Sequence, residues 1–264
     1  MRFCGLPRCW RESMKRHAKR ESITWSLGAT ARSLISFDLL GRSPERHTED
    51  VGIAAEVDSW DEFDSLVGKL QRHGKSVHKF IVEGTEVDVV PYGGIEQEDR
   101  RIVWPDDHEM NVLGLREAVH TAQVVLLPDG VTIKVPSIPA LALLKLLAWE
   151  DRHHDDTRDA LDLATMIGWY SSEKYVERLY AEDFHVLEKF DYDPPPAGAW
   201  ILGAHIPALL DDGGITELLR VLDDDVLMGR LARDMKSPRA ALLLQALSRG
   251  VRDAISEAGQ ERST

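Results

Sequence analysis

The period of the apolar positions changes along the chain, and the changes mark the elements. Residues 51–57 (VGIAAEV) are a short, nearly continuous apolar run that predicts a strand. Ser59 then offers an N-cap with Glu62 three positions on, and Phe63, Leu66, Val67 and Leu70 recur at helical spacing. Residues 79–82 and 87–90 alternate around Glu83-Gly84-Thr85 and predict a hairpin. Residues 124–127 and 131–135 flank Pro128-Asp129-Gly130 and predict a second, with a short helix over 116–121 before it.

Upstream, residues 11–24 read as a helix with a basic face. Residues 33–37 read as an apolar helical stretch behind the small-residue segment 26–31. Residues 41–47 (GRSPERH) have loop composition. From 139 onward the period is helical: 139–152, a polar break at 153–156, 157–170, and a further helical region from Ser171-Ser172. Segment 191–198 (DYDPPPAG) reads as a turn-rich interruption or stiff linker, and helices follow near 216–222, 226–235 and 238–256. Mixed elements followed by helices alone predict an α+β fold, a mixed sheet with a helical C-terminal region. The expected divisions are a basic leader (1–22), a core (23–138), a helical region packing on it (139–190), and a Pro-rich connection with C-terminal helices (191–264).

Composition narrows the class. At 264 residues, 43% hydrophobic and 29% charged, the chain is too apolar to be disordered and long enough for one large domain or two unequal ones. No apolar run approaches the ~18–20 residues of a membrane span, and residues 1–10 contain no continuous apolar stretch of the secretory kind. Cys4 and Cys9 are the only cysteines, which excludes a disulfide framework and fits a reducing, cytoplasmic setting. The net charge of −13 is uneven: residues 1–46 hold 10 Lys/Arg against 4 Asp/Glu, and the remainder 22 against 41. An acidic body argues against a general nucleic-acid-binding surface. The basic leader (Arg2, Arg8, Arg11, Lys15, Arg16, Lys19, Arg20) reads either as a solvated or frayed terminus or as a holder of a phosphate chain or acidic partner.

Two carboxylates draw attention. Asp50 opens one strand, and Asp88 sits inside another among Val87, Val89 and Val90. A carboxylate in a β-branched run is costly unless paired, hydrogen-bonded or metal-bound. Small residues before a helix, as in Gly28-Ala29-Thr30, let backbone N–H groups approach a phosphate. Carboxylates from neighbouring strands near such a turn suit nucleotidyl transfer, where hard cations sit on the reacting oxygens.

At these segments the chain resembles the bacterial nucleotidyltransferases related to the AbiEii and MenT toxins, in the DNA polymerase β-like superfamily. The resemblance spans about residues 23–170. It rests on GATAR (28–32), the strand after Thr48, EGTEVDVVPYGGIE (83–96), NVLGLREA (111–118), LALLKLLAWEDR (141–152) and TRDALDLATMI (157–167). It implies a mixed sheet with flanking helices and metal-dependent transfer of a nucleotidyl group from a nucleoside triphosphate to an RNA or protein acceptor. Mg²⁺ or Mn²⁺ is the implied cofactor, transfer RNA an implied acceptor, and a cognate antitoxin an implied partner. Gly28, Ala29, Thr30 and Arg32 fall on the phosphate segment. Asp50 falls on the first carboxylate of a D-x-D pair and Asp88 on the third carboxylate. Lys145 matches a lysine facing the nucleotide phosphates, and Asp159 and Asp162 match a following D-x-x-D segment.

Two positions depart from the pattern: Gly52 stands where D-x-D has its second carboxylate, and Ser33 where an Asp often follows GATAR. Glu49 points to the other strand face, and Glu56 lies about 20 Å along the strand. Glu86, on the face of Asp88, is the nearest substitute metal ligand. A catalytically reduced nucleotide- or partner-binding module of the same fold is therefore the alternative to an enzyme. Outside this constellation, Asp159 and Asp162 suit a helix N-terminus through the macrodipole alone, and Lys145 suits a snorkelling lysine. His153-His154-Asp155-Asp156 and the cysteine pair lack converging metal ligands. Tyr92-Gly93-Gly94 reads as a turn, or as a backbone that approaches a base or ribose, and Trp60, Trp104, Trp149 and Trp169 read as core or domain-contact residues rather than base-stacking platforms. No Ser-His-Asp triad or P-loop is present.

Overall fold

The structure, a computed structural model, describes residues 24–36, 40–41, 50–126, 132–172 and 174–261, with the side chains of Thr24, Asp50 and Lys174 excepted. The basic leader, most of the helix expected over 11–24, most of the loop at 41–47 and the Pro128-Asp129-Gly130 turn lie outside these residues. The chain is α+β and divides into two compact units, Met1–Ser137 and Ile138–Thr264.

The first unit is built on a five-stranded mixed sheet in the order β1-β2-β5-β4-β3. Its strands are β1 (Thr24–Leu27), β2 (Asp50–Val57), β3 (Gln71–Arg72), β4 (Lys79–Val82) and β5 (Thr85–Gly93). β2 and β5 run parallel and the other neighbours antiparallel. A parallel pair needs a long crossover, which α2 (Trp60–Val67), β3 and β4 supply. Ser59 caps α2 by accepting the Glu62 N–H at 3.2 Å, and the Glu62 carboxylate in turn accepts the Asp58 N–H at 2.8 Å.

The two sheet faces differ as the alternation requires. Ile53, Phe80, Val82, Val87 and Val89 are buried on one face. On that side Phe63 and Trp60 of α2 pack with Trp104, with ring centroids 5.7 and 5.4 Å apart. The other face carries Gly52, Lys79, Ile81, Glu86 and Asp88, all partly exposed. It closes at the far end around Ala54, Trp25 and Tyr92, where the Tyr92 hydroxyl accepts the Trp25 indole N–H at 3.3 Å. Beyond the sheet come the hairpin β6–β7 (Arg101–Val103, Glu109–Asn111), α3 (Leu115–His120) and the hairpin β8–β9 (Gln123–Leu126, Thr132–Val135). Arg100 ties the turn after β5 to α3. It donates to Glu96 at 2.5 Å and to Glu117 at 2.7 Å, while Glu96 also accepts from Gly93 N–H at 2.7 Å.

The second unit is helical. α4 (Ile138–Arg152) and α5 (Arg158–Trp169) form an antiparallel pair across the polar break, and α6 (Lys174–Ala181) and α7 (Phe184–Lys189) follow. α8 (Pro194–His205), α9 (Asp212–Leu222), α10 (Asp225–Asp234) and α11 (Ala240–Glu261) complete it. The expected linker at 191–198 is corrected here. Pro194, Pro195 and Pro196 are the first turn of α8, where an N–H has no intrahelical partner to lose. Ala197, Ala199 and Leu202 of that helix are fully buried. α8 and α11 pack closely because Gly203 and Gly250 carry no Cβ. One at Gly203 would stand 2.0 Å from the Leu247 carbonyl oxygen, and one at Gly250 2.0 Å from that of Trp200. Among the described residues no helix is long and apolar enough to cross a membrane.

Candidate functional site

The candidate site in the first unit is a row across four strands. The register pairs Leu27 with Gly52, Gly52 with Asp88, and Asp88 with Lys79. One step back, Asp50 pairs with Glu86 and Glu86 with Ile81. Adjacent strands lie ~4.8 Å apart, so the chain leaves β1 at the level of Asp88 and about two strands from it. It leaves through Gly28, whose φ of +67° opens α1 (Gly28–Leu34) and whose missing Cβ would meet nothing within 4 Å. A positive φ suits glycine, and the open space leaves this backbone approachable. Ala29 and Thr30 are partly exposed beside it. Arg32, expected to contact nucleotide, is 3% exposed. Ser33 donates its hydroxyl to the Ala29 carbonyl at 2.9 Å and so serves the helix itself.

Asp88 is 26% exposed, and its Oδ1 lies 3.4 Å from the Lys79 ammonium. The same ammonium donates to Glu86 Oε1 at 2.5 Å, while Glu86 Oε2 lies 3.1 Å from His73 Nδ1. Burial is the largest single influence on Lys79 and lowers its pKa. The Glu86 hydrogen bond and the charges of Asp88 and Glu86 together outweigh it, and the pKa ends above the ordinary lysine value. Lys79 is therefore a fixed positive charge on this face.

The described side chains do not leave a carboxylate free for the implied divalent cation. Mg²⁺ is held at ~2.1 Å by one or two open carboxylates together with water and substrate phosphates. Gly52 offers none, and a Cβ there would stand 2.9 Å from Leu27 Cδ1 and 3.0 Å from the Leu27 carbonyl oxygen. Glu86, the expected substitute, has both oxygens engaged by Lys79 and His73. Among the described residues no group of three or more His, Cys, Asp or Glu is arranged to hold a metal ion.

Lys145 requires a correction. The sequence places it at the rim of a phosphate cleft, but it is 6% exposed within the α4–α5 pair. Its ammonium lies 2.7 Å from Asp159 Oδ1 and 2.7 Å from Asp162 Oδ2. Asp159 Oδ2 is also gripped by Arg152, with Nε at 2.7 Å and Nη2 at 2.6 Å. An ammonium buried in this way is closed off from a phosphate. Asp159, which the resemblance implied as a nucleotide-binding residue, is 2% exposed, and on one helix face with Asp162, as their spacing requires, it is paired with Lys145.

His153 is settled by its partners. Nδ1 lies 3.0 Å from the Glu150 carbonyl oxygen, which can only accept, so Nδ1 carries the proton. Nε2 lies 2.9 Å from Arg230 Nη1, which can only donate, so Nε2 accepts and is closed to a metal. Trp104, Trp149 and Trp169 are each 1% exposed or less, as core residues should be, whereas Trp60 is only partly buried. Lys79 and His73 escaped the sequence reading. Lys79 carried a usable signal: a loop of Glu83-Gly84 pairs residue 82 with 85, and counting back pairs 79 with 88.

No protein-family model matches the chain, and no curated protein matches it. Among solved structures, the crystal structure of ANT(2'')-Ia in complex with adenylyl-2''-tobramycin aligns at 13% identity with a TM-score of 0.39, over 66% of this chain and 94% of that one. The solution structure of the antibiotic-resistance factor ANT(2'')-Ia aligns at 13% identity with a TM-score of 0.37, over 69% and 95%. Likenesses this weak carry no argument, and the α+β assignment rests on the chain's own topology.

Proposed function

We propose that the chain is a nucleotidyltransferase-type protein that holds a nucleoside triphosphate on the open sheet face, its phosphates against the backbone of residues 28–30. The observation that carries this reading is the row Leu27–Gly52–Asp88, which sets a partly exposed carboxylate level with an approachable glycine turn. In a transfer reaction an acceptor hydroxyl attacks the α-phosphorus, the bond to the β-phosphate oxygen breaks, and pyrophosphate leaves. Asp50 and Asp88 are the carboxylates assigned to the reacting end, Asp88 as acceptor of the hydroxyl proton. An RNA such as transfer RNA, or a protein hydroxyl, is the proposed acceptor, and a cognate antitoxin the proposed partner. Both are supported by the sequence resemblance alone.

A second reading has its own support. The contact of Leu27 with the space above Gly52, and the engagement of Glu86 by Lys79, favour a module that binds nucleotide without turning it over. Incubation with each α-labelled nucleoside triphosphate, total RNA and purified transfer RNA separates the two. Label transfer with pyrophosphate release supports the enzyme. A nucleotide-dependent rise in melting temperature without release supports the binding module. Neither response would overturn both.

A further inference from the structure

We propose that Lys79 is a resident cation that takes the place of a divalent metal beside Glu86 and Asp88, so that this face receives nucleotide phosphates without a bound metal ion. The nucleotide half of the statement rests on the reading above; the exclusion of metal stands by itself.

Two independent features point the same way. The first is subtraction of negative charge. Gly52 lies laterally between Leu27 and Asp88, and Leu27 fills the space a side chain would need, with Cδ1 2.9 Å and its carbonyl oxygen 3.0 Å from the site of a Cβ. The row cannot regain a carboxylate there without moving its neighbour. The second is addition of positive charge. Lys79 stands directly across from Asp88 on the other side of β5 and reaches both acids of that strand face, Glu86 at 2.5 Å and Asp88 at 3.4 Å. His73 takes the remaining Glu86 oxygen from β4's outer neighbour, where residues 71–72 form β3. A metal arriving at these acids must displace an ammonium covalently tethered beside them, whose local concentration no free ion matches. It must also accept the repulsion of that ammonium if the ammonium stays. Lys79 is 35% exposed and both acids remain partly open, so the charge is neutralised at a surface that a ligand can still reach.

The consequence is specific. Where two or three carboxylates normally repel a triphosphate until metal is bound, this face already carries its own counter-charge, and the repulsion is reduced in the metal-free protein.

The test uses the full chain with Mn²⁺ alone, Mg²⁺ alone, and ATP with either Mg²⁺ or chelator. Wild type should show no melting-temperature shift between 5 mM Mn²⁺ and chelator, whereas Lys79→Met should gain a clear Mn²⁺-dependent rise and at least a tenfold tighter Mn²⁺ affinity by calorimetry. Lys79→Arg keeps the charge and should stay as insensitive as wild type. If Lys79→Met does not fold, Lys79→Gln and the wild-type Mn²⁺ titration carry the test. Saturable 1:1 Mn²⁺ binding by wild type that Asp88→Asn abolishes would overturn the proposal, as would identical metal responses in wild type and every folded Lys79 variant. ATP should raise the wild-type melting temperature equally with Mg²⁺ and with chelator, and an ATP shift that requires Mg²⁺ would also overturn it. An absent ATP response in all variants, with the Lys79→Met metal gain intact, would refute nucleotide binding while leaving the resident cation standing.

Discussion

Two lysines in this chain each stand between two carboxylates, one in each unit, and their surroundings make them different devices. Lys145 with Asp159 and Asp162 is 7, 2 and 1% exposed, whereas Lys79 with Glu86 and Asp88 is 35, 30 and 26% exposed. Distances alone do not separate them, since each has a contact at 2.7 Å or less. Burial does. Inside a helix pair both the desolvation of the ions and their attraction are large, and the geometry has to be complete to balance. At a half-open sheet face both are small, water shares the work, and a ligand can exchange with it. The resemblance in sequence assigned phosphate contact to the buried lysine. Under the proposal above that role falls to the other, whose triad remains partly exposed.

The largest expected effect breaks the buried member. Lys145→Met leaves Asp159 and Asp162 in a dry environment without their ammonium, and should cost about 3–5 kcal/mol in urea-induced unfolding. Arg152 still holds Asp159, so the lost ion pairing falls chiefly on Asp162. Lys145→Met combined with Asp162→Leu should recover a substantial part of the loss. A loss below 1 kcal/mol for the single variant would show that the pair does not pin α4 to α5.

Next in size is Gly52→Asp. A strand glycine invites the expectation that a side chain is tolerated. Leu27 contradicts it, since a Cβ meets both the Leu27 side chain and its carbonyl oxygen. Overpacking of this kind costs about 1–3 kcal/mol. Leu27→Ala in the same chain should return part of it by clearing Cδ1, and thermal melts of the two single variants and the double variant measure the coupling. Additive losses would show that Leu27 is not what excludes a side chain from the row.

What the sequence revealed and concealed follows the same division between local and tertiary causes. The strand at 51–57, the Ser59 cap and the hairpin at 79–90 were legible because each is set by period and turn chemistry within a dozen residues. β3, β6 and β7 were not, because two or three residues are too few to display alternation. Three consecutive prolines suggested a linker, and only the burial of Ala197, Ala199 and Leu202 reveals a core helix. Asp50, Asp88 and the Gly28 turn were recognisable as a constellation. The ion pairs around it were not, because Lys79 is set across from Asp88 by a strand pairing that had to be counted through the turn, and His73 reaches Glu86 from just beyond β3.

A smaller effect is read through pH. Burial, the largest influence, holds His78 below its ordinary value of about 6.5, with Asp88 opposing and Lys79 adding to the shift. The unfolded chain then binds the proton more readily than the folded one. Stability from this group is therefore complete above about pH 6.5 and falls as the pH drops through the folded value. His205 in the helical unit is lowered by burial and Arg178, with the same sign. Urea titrations between pH 7.5 and 5 should show a loss on acidification that His78→Phe and His205→Phe each reduce. An unchanged pH slope in both variants would assign the acid sensitivity elsewhere.

The smallest expected effect completes the comparison at Lys79. Its pairs are partly solvated, so Lys79→Met should cost no more than about 1 kcal/mol, against several for Lys145→Met. Screening supplies an independent check. Half-exposed charges lose much of their attraction when the Debye length falls from ~10 Å at 0.1 M salt to ~3 Å at 1 M. The difference between wild type and Lys79→Met should therefore shrink in 1 M NaCl, while that between wild type and Lys145→Met should change little, because salt does not enter the α4–α5 pair. A cost at Lys79 equal to that at Lys145 and equally resistant to salt would place both triads in one structural class. The open face would then have no charge to spare for a ligand.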